Sequence, residues 1–334
     1  MNQQSKDIIV RGDPNAVDSF AACFAAVAEY YNLHSAYEYL EALTGTCFSP
    51  CHNRGEDCIG WKMDGGNAAR VDFMAQAVGL SVERIDFAPG APDGWEQTYA
   101  QTHVLPEQAA GYFAHLRQIG ERGSLIILPT WPAWSVLNGW ADDLGQLPFV
   151  TVPGFAETVA QIWPPIKTRF AFALKPAGPA GDPAVTAREA LAYGAMIASG
   201  KVVPATVGFG DQNYYGGEMY SIILQQLEKP FQCDGCGENG CFSRTVRRVH
   251  DGHAASTAFL REVQPLVGDG SIADLAARYE AMAGISGGWV EKTRQSWTVF
   301  DDSSLRPGLQ RDFNTIQQIH QEVVQLFKTG GWLV

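Results

Sequence analysis

The sequence predicts an α+β domain over residues 1–175, followed by an all-helical domain over residues 184–334. Three observations support this fold class. In the first half, helical patterns precede a series of strand-like apolar stretches, which is the order of an α+β domain. Residues 175–183 read KPAGPAGDP, and this composition is typical of a linker. Beyond the linker, apolar residues recur at helical spacing and strand patterns are almost absent.

Periodicity and capping residues define the elements of the first domain. Residues 18–31 carry large apolar side chains on one face, and Asp18 or Ser19 is a suitable N-cap. Further helices are predicted at 35–43, 68–78 and 106–122, the last with a proline in its first turn. Strands are predicted at 82–86, 125–128, 134–140, 148–152 and 169–174.

The second domain has the periodicity of a helical bundle. Its apolar residues predict helices at 184–199, 217–227, 244–267, 272–283 and 309–327. The chain has no internal repeat and no low-complexity tract. We therefore expect this domain to be all-helical.

The composition argues against several classes of partner. The 334 residues carry a formal net charge of −12, so neither nucleic acid nor an anionic membrane is expected as the main partner. No apolar run approaches the roughly 20 residues that span a bilayer. Residues 1–10 lack the apolar core of a signal peptide. We expect a soluble cytoplasmic protein, for which formation of a homo-oligomer stays open.

The first predicted helix carries a family resemblance. Residues 18–31 read DSFAACFAAVAEYY, which resembles the nucleophile helix of papain-like C39 peptidases and of the related amino-terminal domain of butirosin-type acyltransferases. Residues 43–48 (LTGTCF), 134–143 (WSVLNGWADD) and 218–224 (EMYSIIL) resemble later segments of these families in the same order. The resemblance implies a papain-like, C39-like fold for residues 1–175.

The catalytic triad of these families does not carry over to this chain. Ser19 stands where they have the nucleophilic cysteine, Ala133 where they have the histidine, and Val152 near the later Asp or Asn position. A papain-type mechanism needs a thiolate, which is formed by a nearby imidazole that a third group orients. The resemblance therefore implies a degenerate catalytic site.

Cys23 is the alternative nucleophile on the same helix. It lies one turn beyond Ser19 and would face the cleft if the register were shifted by four residues. The competing interpretation is a small buried side chain in the core, since free cysteine is among the most buried residue types.

Six of the seven cysteines fall into two triplets. The second triplet, Cys233, Cys236 and Cys241, has a C-x2-C spacing among glycines that lets backbone N–H groups point at metal-bound sulfur. His250 or His253 would supply a fourth ligand for zinc. Unligated thiols in a glycine-rich loop are the alternative. The first triplet, Cys47, Cys51 and Cys58, has no standard metal spacing, although His52 adds a possible ligand.

Aromatic and amide residues suggest a ligand site. Residues 207–217 combine polar aromatic and amide side chains with four glycines, which suits either a binding loop or a plain connection. From this loop and from the predicted strand 134–140, the candidate ligand-binding residues are Trp134, Asn138, Tyr214 and Tyr215. Packing at the sheet edge is the alternative role of Trp134.

Three functions follow from these features. The first is a catalytically degenerate papain-like protein that binds a small-molecule or peptide ligand in the old cleft. The second is an active acyltransferase or an amide or peptide hydrolase that uses Ser19 or Cys23. The third is a metal-binding protein, most simply a zinc protein, built on the two cysteine triplets.

Overall fold

The computed structural model describes most of the two predicted domains. The described residues are 8–12, 18–49, 52–53, 68–86, 107–129, 134–137, 149–151, 170–202, 213–228, 240–296 and 299–333. The chain is a mixed helix and sheet protein of the α+β class, as predicted. Contacts divide it into a sheet unit, comprising Met1–Pro14, Ser19–Ser35 and Val71–Gly181, and a helical unit, comprising Asn15–Asp18, Ala36–Arg70 and Asp182–Val334.

Among its described residues, the sheet unit combines three helices with a five-stranded antiparallel sheet. The helices are α1 (Ser19–Tyr30), α3 (Val71–Val78) and α4 (Glu107–Glu121). The strands are β2 (Leu80–Asp86), β3 (Leu125–Pro129), β4 (Trp134–Leu137), β5 (Phe149–Thr151) and β6 (Phe170–Pro176). Their order across the sheet is β2-β6-β3-β4-β5, and every neighbouring pair is antiparallel.

The register of the sheet brings apolar side chains together at its centre. Ile127 of β3 is paired with Phe172 of β6 on one side and with Val136 of β4 on the other. All three side chains are buried, as are nearly all residues of these strands that face the core. Apolar runs of this kind are typical of strands that are covered by other elements. All five predicted strands are thus confirmed as strands of one sheet.

Helix α1 packs on this sheet through its aromatic side chains. The ring of Phe20 lies 4.7 Å from the ring of Trp134 and 6.1 Å from the ring of Phe172, both in edge-to-face geometry. Such pairs add to the stabilisation from buried apolar area. The alanine-rich side of α1 is also buried, so this helix lies in the core.

The helical unit contains six helices and one short strand pair among its described residues. The helices are α2 (Tyr37–Thr44), α5 (Pro183–Ala198), α6 (Gly217–Leu227), α7 (Gly240–Val267), α8 (Ser271–Gln295) and α9 (Arg306–Thr329). Strand β1 (His52–Asn53) pairs antiparallel with β7 (Asn213–Tyr214). Helices at all five positions predicted after the linker are confirmed, and α8 continues well beyond the predicted end at residue 283. The prediction that residues 184–334 are all-helical is wrong at β7, which forms a strand because its backbone pairs with β1.

Capping residues fix the ends of the shorter helices. The carboxylate of Asp182 accepts hydrogen bonds from the N–H groups of Ala184 and Val185 at the start of α5, where Pro183 is the first residue. At the end of α2, Gly45 has φ of +80°, a conformation that favours glycine, and its N–H donates to Ala42 O.

Residues 36–70 group with the helices after the linker rather than with the sheet, which differs from the predicted first domain of residues 1–175. The physical reason is aromatic packing around Phe48. Its ring lies within about 6 Å of the rings of Phe259, Tyr279 and Phe327, which come from α7, α8 and α9. Phe48 is fully buried by these contacts, and they fix its segment to the helical unit.

None of the helices within the described residues is both long and apolar enough to cross a membrane.

Candidate functional site

Ser19, the predicted nucleophile position, is the first residue of α1 in the sheet unit. Its side chain is buried, and the residue is only 1% exposed. Ser19 Oγ accepts a hydrogen bond from the backbone N–H of Trp134 over 2.9 Å. The hydroxyl oxygen therefore serves as an acceptor that links the start of α1 to the start of β4.

Cys23 lies one turn further along α1 and has no exposed surface. The neighbouring aromatic residues Phe20 and Phe24 are buried to the same degree. This environment matches the interpretation of Cys23 as a small core side chain. A reactive cysteine needs solvent access and a charged or polar setting that stabilises the thiolate.

The remaining triad positions are Ala133 and Val152, and both lie outside the described residues. Asn138, a predicted ligand residue, lies outside them as well. At residue 133 the sequence itself excludes an imidazole, whatever the local structure.

Trp134 is located in the core of the sheet unit and is 3% exposed. Its ring stacks on Phe172 at a centroid distance of 6.0 Å and an interplanar angle of 13°, and Phe20 meets its edge. The indole is therefore not open to a ligand in this structure. Packing, which the sequence left as the alternative, accounts for its position.

The two predicted tyrosines lie in the helical unit. Tyr214 belongs to strand β7, and its side chain is outside the described part of the structure. Tyr215 is buried against Ile197, with Tyr193 packed beside this pair. Its burial makes Tyr215 part of the packing between β7 and α5.

A buried charged cluster in the helical unit was not predicted from the sequence. Arg248 of α7 lies at its centre, and three carboxylates contact the guanidinium. The nitrogen–oxygen distances are 2.7 Å to Glu41, 2.9 Å to Asp251 and 3.4 Å to Asp18. Arg248 and Glu41 are almost completely removed from solvent. Burial of charges at this density is costly unless the charges are paired and hydrogen-bonded.

Hydrogen bonds hold the outer members of this Arg248 cluster in place. The Tyr37 hydroxyl donates to Asp251 Oδ2 over 2.7 Å and accepts the backbone N–H of Asp18 over 2.8 Å. The Thr46 hydroxyl donates to Asp18 Oδ2 over 3.2 Å. The carboxylate of Asp18, which precedes Ser19 in the chain, is thus held by Thr46 and Arg248.

The charges of the Arg248 cluster do not balance. Three carboxylates face one guanidinium, so full ionisation would leave a buried excess of negative charge. Burial raises the pKa of Glu41 to about 8 against the opposing effect of Arg248, and it raises the pKa of Asp251 to about 6. The cluster can therefore retain a proton on Glu41 at neutral pH.

The sequence holds only a weak signal for this cluster. Arg248 and Asp251 are spaced i, i+3 on a predicted helix, and Glu41 interrupts the otherwise apolar inner face of the predicted helix at 35–43. Each of these features is common on solvated helix faces. Only tertiary packing shows that they meet Asp18, which is more than 200 positions from Arg248 in the chain.

Cys47 of the first cysteine triplet is free and fully buried in the helical unit. Burial raises the pKa of its thiol well above the usual value, and Glu41 raises it further. The thiol is therefore held in its neutral form. Cys51 and Cys58 lie outside the described residues.

Most of the predicted zinc set falls outside the described structure. Cys233 and Cys236 are not described, and for Cys241 only the backbone in α7 is described. Among the candidate histidines, His250 Nδ1 lies 3.0 Å from Ala283 O, and His253 Nε2 lies 2.7 Å from the Tyr220 hydroxyl. Within the described residues, no group of three or more His, Cys, Asp or Glu side chains is arranged to hold a metal ion. The zinc site stays a prediction.

No family model matches this chain, and no curated protein matches it in sequence. The resemblance to the C39 peptidases and butirosin-type acyltransferases therefore depends on the short motifs alone. The geometry at Ser19 is independent of that resemblance, and it is the stronger guide to function.

Proposed function

We propose that this chain is a catalytically degenerate papain-like, C39-like protein that binds a small-molecule or peptide ligand beside the former nucleophile position. The observation that carries this proposal is the hydrogen bond from the Trp134 N–H to the buried Ser19 Oγ. An oxygen that is buried and that accepts this bond is not exposed to a substrate carbonyl in this structure.

The chemistry of acyl transfer also favours a catalytically inactive protein over an active enzyme. A serine hydroxyl attacks a carbonyl only when a base accepts its proton and when the substrate can approach within van der Waals contact. Ser19 is 1% exposed, and the dipole of α1 alone is far too weak to ionise a hydroxyl. The nearest acidic residue in sequence, Asp18, has its carboxylate held by Thr46 and Arg248.

Cys23 is a poor substitute for the missing thiolate. It has no exposed surface, and Phe20 and Phe24 of the same helix are buried as well. A nucleophilic cysteine must be accessible to its substrate, and Cys23 is not accessible in this structure. An active enzyme based on Cys23 would require α1 to leave the core.

Binding by the degenerate site is supported by the sequence that follows β4. Asn138, one of the candidate ligand-binding residues, comes directly after this strand. Amide side chains are among the few polar groups that orient ligands in small-molecule sites. The proposal places the ligand next to the start of α1, where Ser19 is bonded to the first residue of β4.

The catalytic half of the proposal is tested by turnover. Wild-type protein, Ser19→Ala and Cys23→Ala are assayed against generic thioester and peptide amide substrates. We expect no turnover above background in any of the three, and no labelling of either position by an epoxysuccinyl thiol probe. Turnover that Ser19→Ala abolishes would contradict a degenerate site.

The binding half is tested separately by NMR. A panel of short peptides and acylated amines is titrated into 15N-labelled protein while the backbone amide of Trp134 is observed. A ligand in the proposed position should shift this amide, because its hydrogen bond to Ser19 Oγ reports on the start of α1. Binding that shifts only amides of the helical unit would argue against this position.

A further inference from the structure

A groove opens in the helical unit between α8 and the start of α9. Its volume is about 320 Å³, which is at the lower end of the range of roughly 300–1,000 Å³ for small-molecule sites. Its walls come from two elements with different chemistry. The principal lining residues are Ile285, Trp289 and Lys292 on one side and Leu305, Gly308 and Arg311 on the other.

The sequence pattern explains why these side chains share one groove. Ile285, Trp289 and Lys292 are spaced i, i+4 and i+7, so they lie on one face of α8. On the facing helix, Gly308 has no side chain. A Cβ atom built there would lie 3.6 Å from Trp289 Cη2 and Cζ2. A longer side chain at residue 308 would therefore occupy the groove, and the glycine keeps it open.

The acidic residue at the groove is already neutralised. Asp312 Oδ2 accepts a hydrogen bond from Trp289 Nε1 over 3.0 Å, and Oδ1 accepts one from Arg311 Nε over 3.1 Å. These contacts use both oxygens of the carboxylate. Asp312 consequently offers little attraction to a cationic ligand.

The ammonium of Lys292 is placed differently. It lies 4.1 Å from the centroid of the Trp289 ring, in cation–π geometry. Among the described residues, no carboxylate oxygen lies within 4.0 Å of this nitrogen. Because Arg311 is paired with Asp312, Lys292 leaves the described lining of the groove with an excess of one positive charge, in a chain whose formal net charge is −12. Such an excess favours an anion.

We propose that this groove binds a small organic molecule that has one carboxylate on an apolar body. The body packs between Ile285, Leu305 and the Trp289 ring, and the carboxylate pairs with the ammonium of Lys292. The lining residues explain why the ligand needs both an apolar body and a carboxylate. An inorganic anion would leave the apolar wall uncovered, and an uncharged body would leave Lys292 without a counter-ion.

The experiment is calorimetric titration of the whole chain with 3-phenylpropionate. We expect saturable binding that weakens by about tenfold or more in Lys292→Met, which keeps the apolar stem but removes the charge. The matched control is Lys328→Met, at the exposed far end of α9, and it should bind as the wild type does. Acetate has the carboxylate without the apolar body, and 3-phenylpropylamine has the apolar body without the carboxylate. Neither compound should bind appreciably.

A second variant tests the position of the ligand independently of charge. Gly308→Leu places a side chain in the groove, and it should abolish binding of 3-phenylpropionate while the far-UV circular dichroism stays unchanged. Absence of binding to the wild type would overturn the proposal. So would equal binding in Lys292→Met or Gly308→Leu, or equal binding of the amine.

Discussion

Ser19 Oγ accepts a hydrogen bond from the backbone N–H of Trp134 over 2.9 Å, which joins the first residue of α1 to the first residue of β4. Both residues are buried, so the bond is protected from competing water. The position that the sequence assigns to a nucleophile is therefore part of the framework of the sheet unit. The first prediction follows from this role.

Ser19→Ala should destabilise the protein by about 1–2 kcal/mol, because it removes a buried acceptor from the Trp134 N–H. Urea denaturation measures this loss. The control is Ser81→Ala, since Ser81 Oγ donates over 3.4 Å to Lys175 O at an exposed position and should cost little. Equal stabilities of Ser19→Ala and wild type would show that the hydrogen bond contributes nothing.

Arg248→Met should be among the most damaging single substitutions in the helical unit. It leaves Asp18, Glu41 and Asp251 facing one another without their common cation. Removing one partner of a buried ion pair typically costs about 3–5 kcal/mol. Chemical denaturation should show a loss of this size.

The control for Arg248→Met is Arg261→Met. Arg261 pairs with Glu280 over 2.7 Å, but both side chains are more than half exposed. Exposed pairs contribute about 0–1 kcal/mol, so this variant should remain close to wild type. A loss below 1 kcal/mol in Arg248→Met would show that the cluster is hydrated and weakly coupled.

The free energy of unfolding should decrease as the pH rises from about 4.5 to about 8, because the Glu41 carboxyl ionises at a different pH in the folded chain than in the unfolded chain. Burial raises the pKa of Glu41 from its usual value of 4.5 to about 8, so the folded chain binds a proton that the unfolded chain has released. Asp251, whose pKa is raised from 3.8 to about 6, acts in the same direction over a lower range. The Glu41→Gln variant lacks the larger contribution.

The measurement is the difference in unfolding free energy between wild type and Glu41→Gln at pH 5, 7 and 8.5. Comparing the two proteins at each pH matters because burial also lowers the pKa of His253 to about 3 and of His320 to about 4. Because the unfolded chain protonates these histidines more readily than the folded chain, the free energy of unfolding decreases as the pH falls below about 6.5, and it does so in both proteins. Wild type should lose stability relative to the variant as the pH rises, whereas parallel curves would show that Glu41 ionises normally.

Local patterns were sufficient to predict the main helices, the five strands of the sheet and the α+β class, but not the β1–β7 strand pair. The helix predicted at 217–227 is α6, which spans Gly217–Leu227. All five strands of the sheet lie within a few residues of their predicted positions. These elements depend on periodicity and caps, which are properties of neighbouring residues. The grouping of residues 36–70 with the helical unit depends instead on contacts between Phe48 and three distant helices.

The candidate sites were less predictable for the same reason. The tryptophan at the start of β4 was consistent with either ligand stacking or core packing, and only the position of Phe172 decides between them. The Arg248 cluster joins α2, α7 and Asp18, which no local spacing connects. Likewise, the groove beside Trp289 exists because Gly308 faces that ring from another helix.

Gly194→Ala should destabilise the protein although alanine is the better helix former. Gly194 lies inside α5, and a Cβ atom there would come within 2.5 Å of Cε2 of the buried Phe48 ring. The ring is held between Phe259, Tyr279 and Phe327, so it cannot move aside cheaply. Overpacking should outweigh the propensity gain of about 1 kcal/mol and give a net loss of about 1–3 kcal/mol.

The matched control is Gly284→Ala, in the interior of α8. No atom lies within 4 Å of its new Cβ, so helix propensity should decide the sign. We expect a gain of about 0.5–1 kcal/mol in chemical denaturation. The two substitutions are chemically identical, and opposite signs would therefore isolate the effect of the Phe48 ring. A stabilised Gly194→Ala would mean that Phe48 has room to shift and that its aromatic contacts do not fix the 46–48 segment to the bundle.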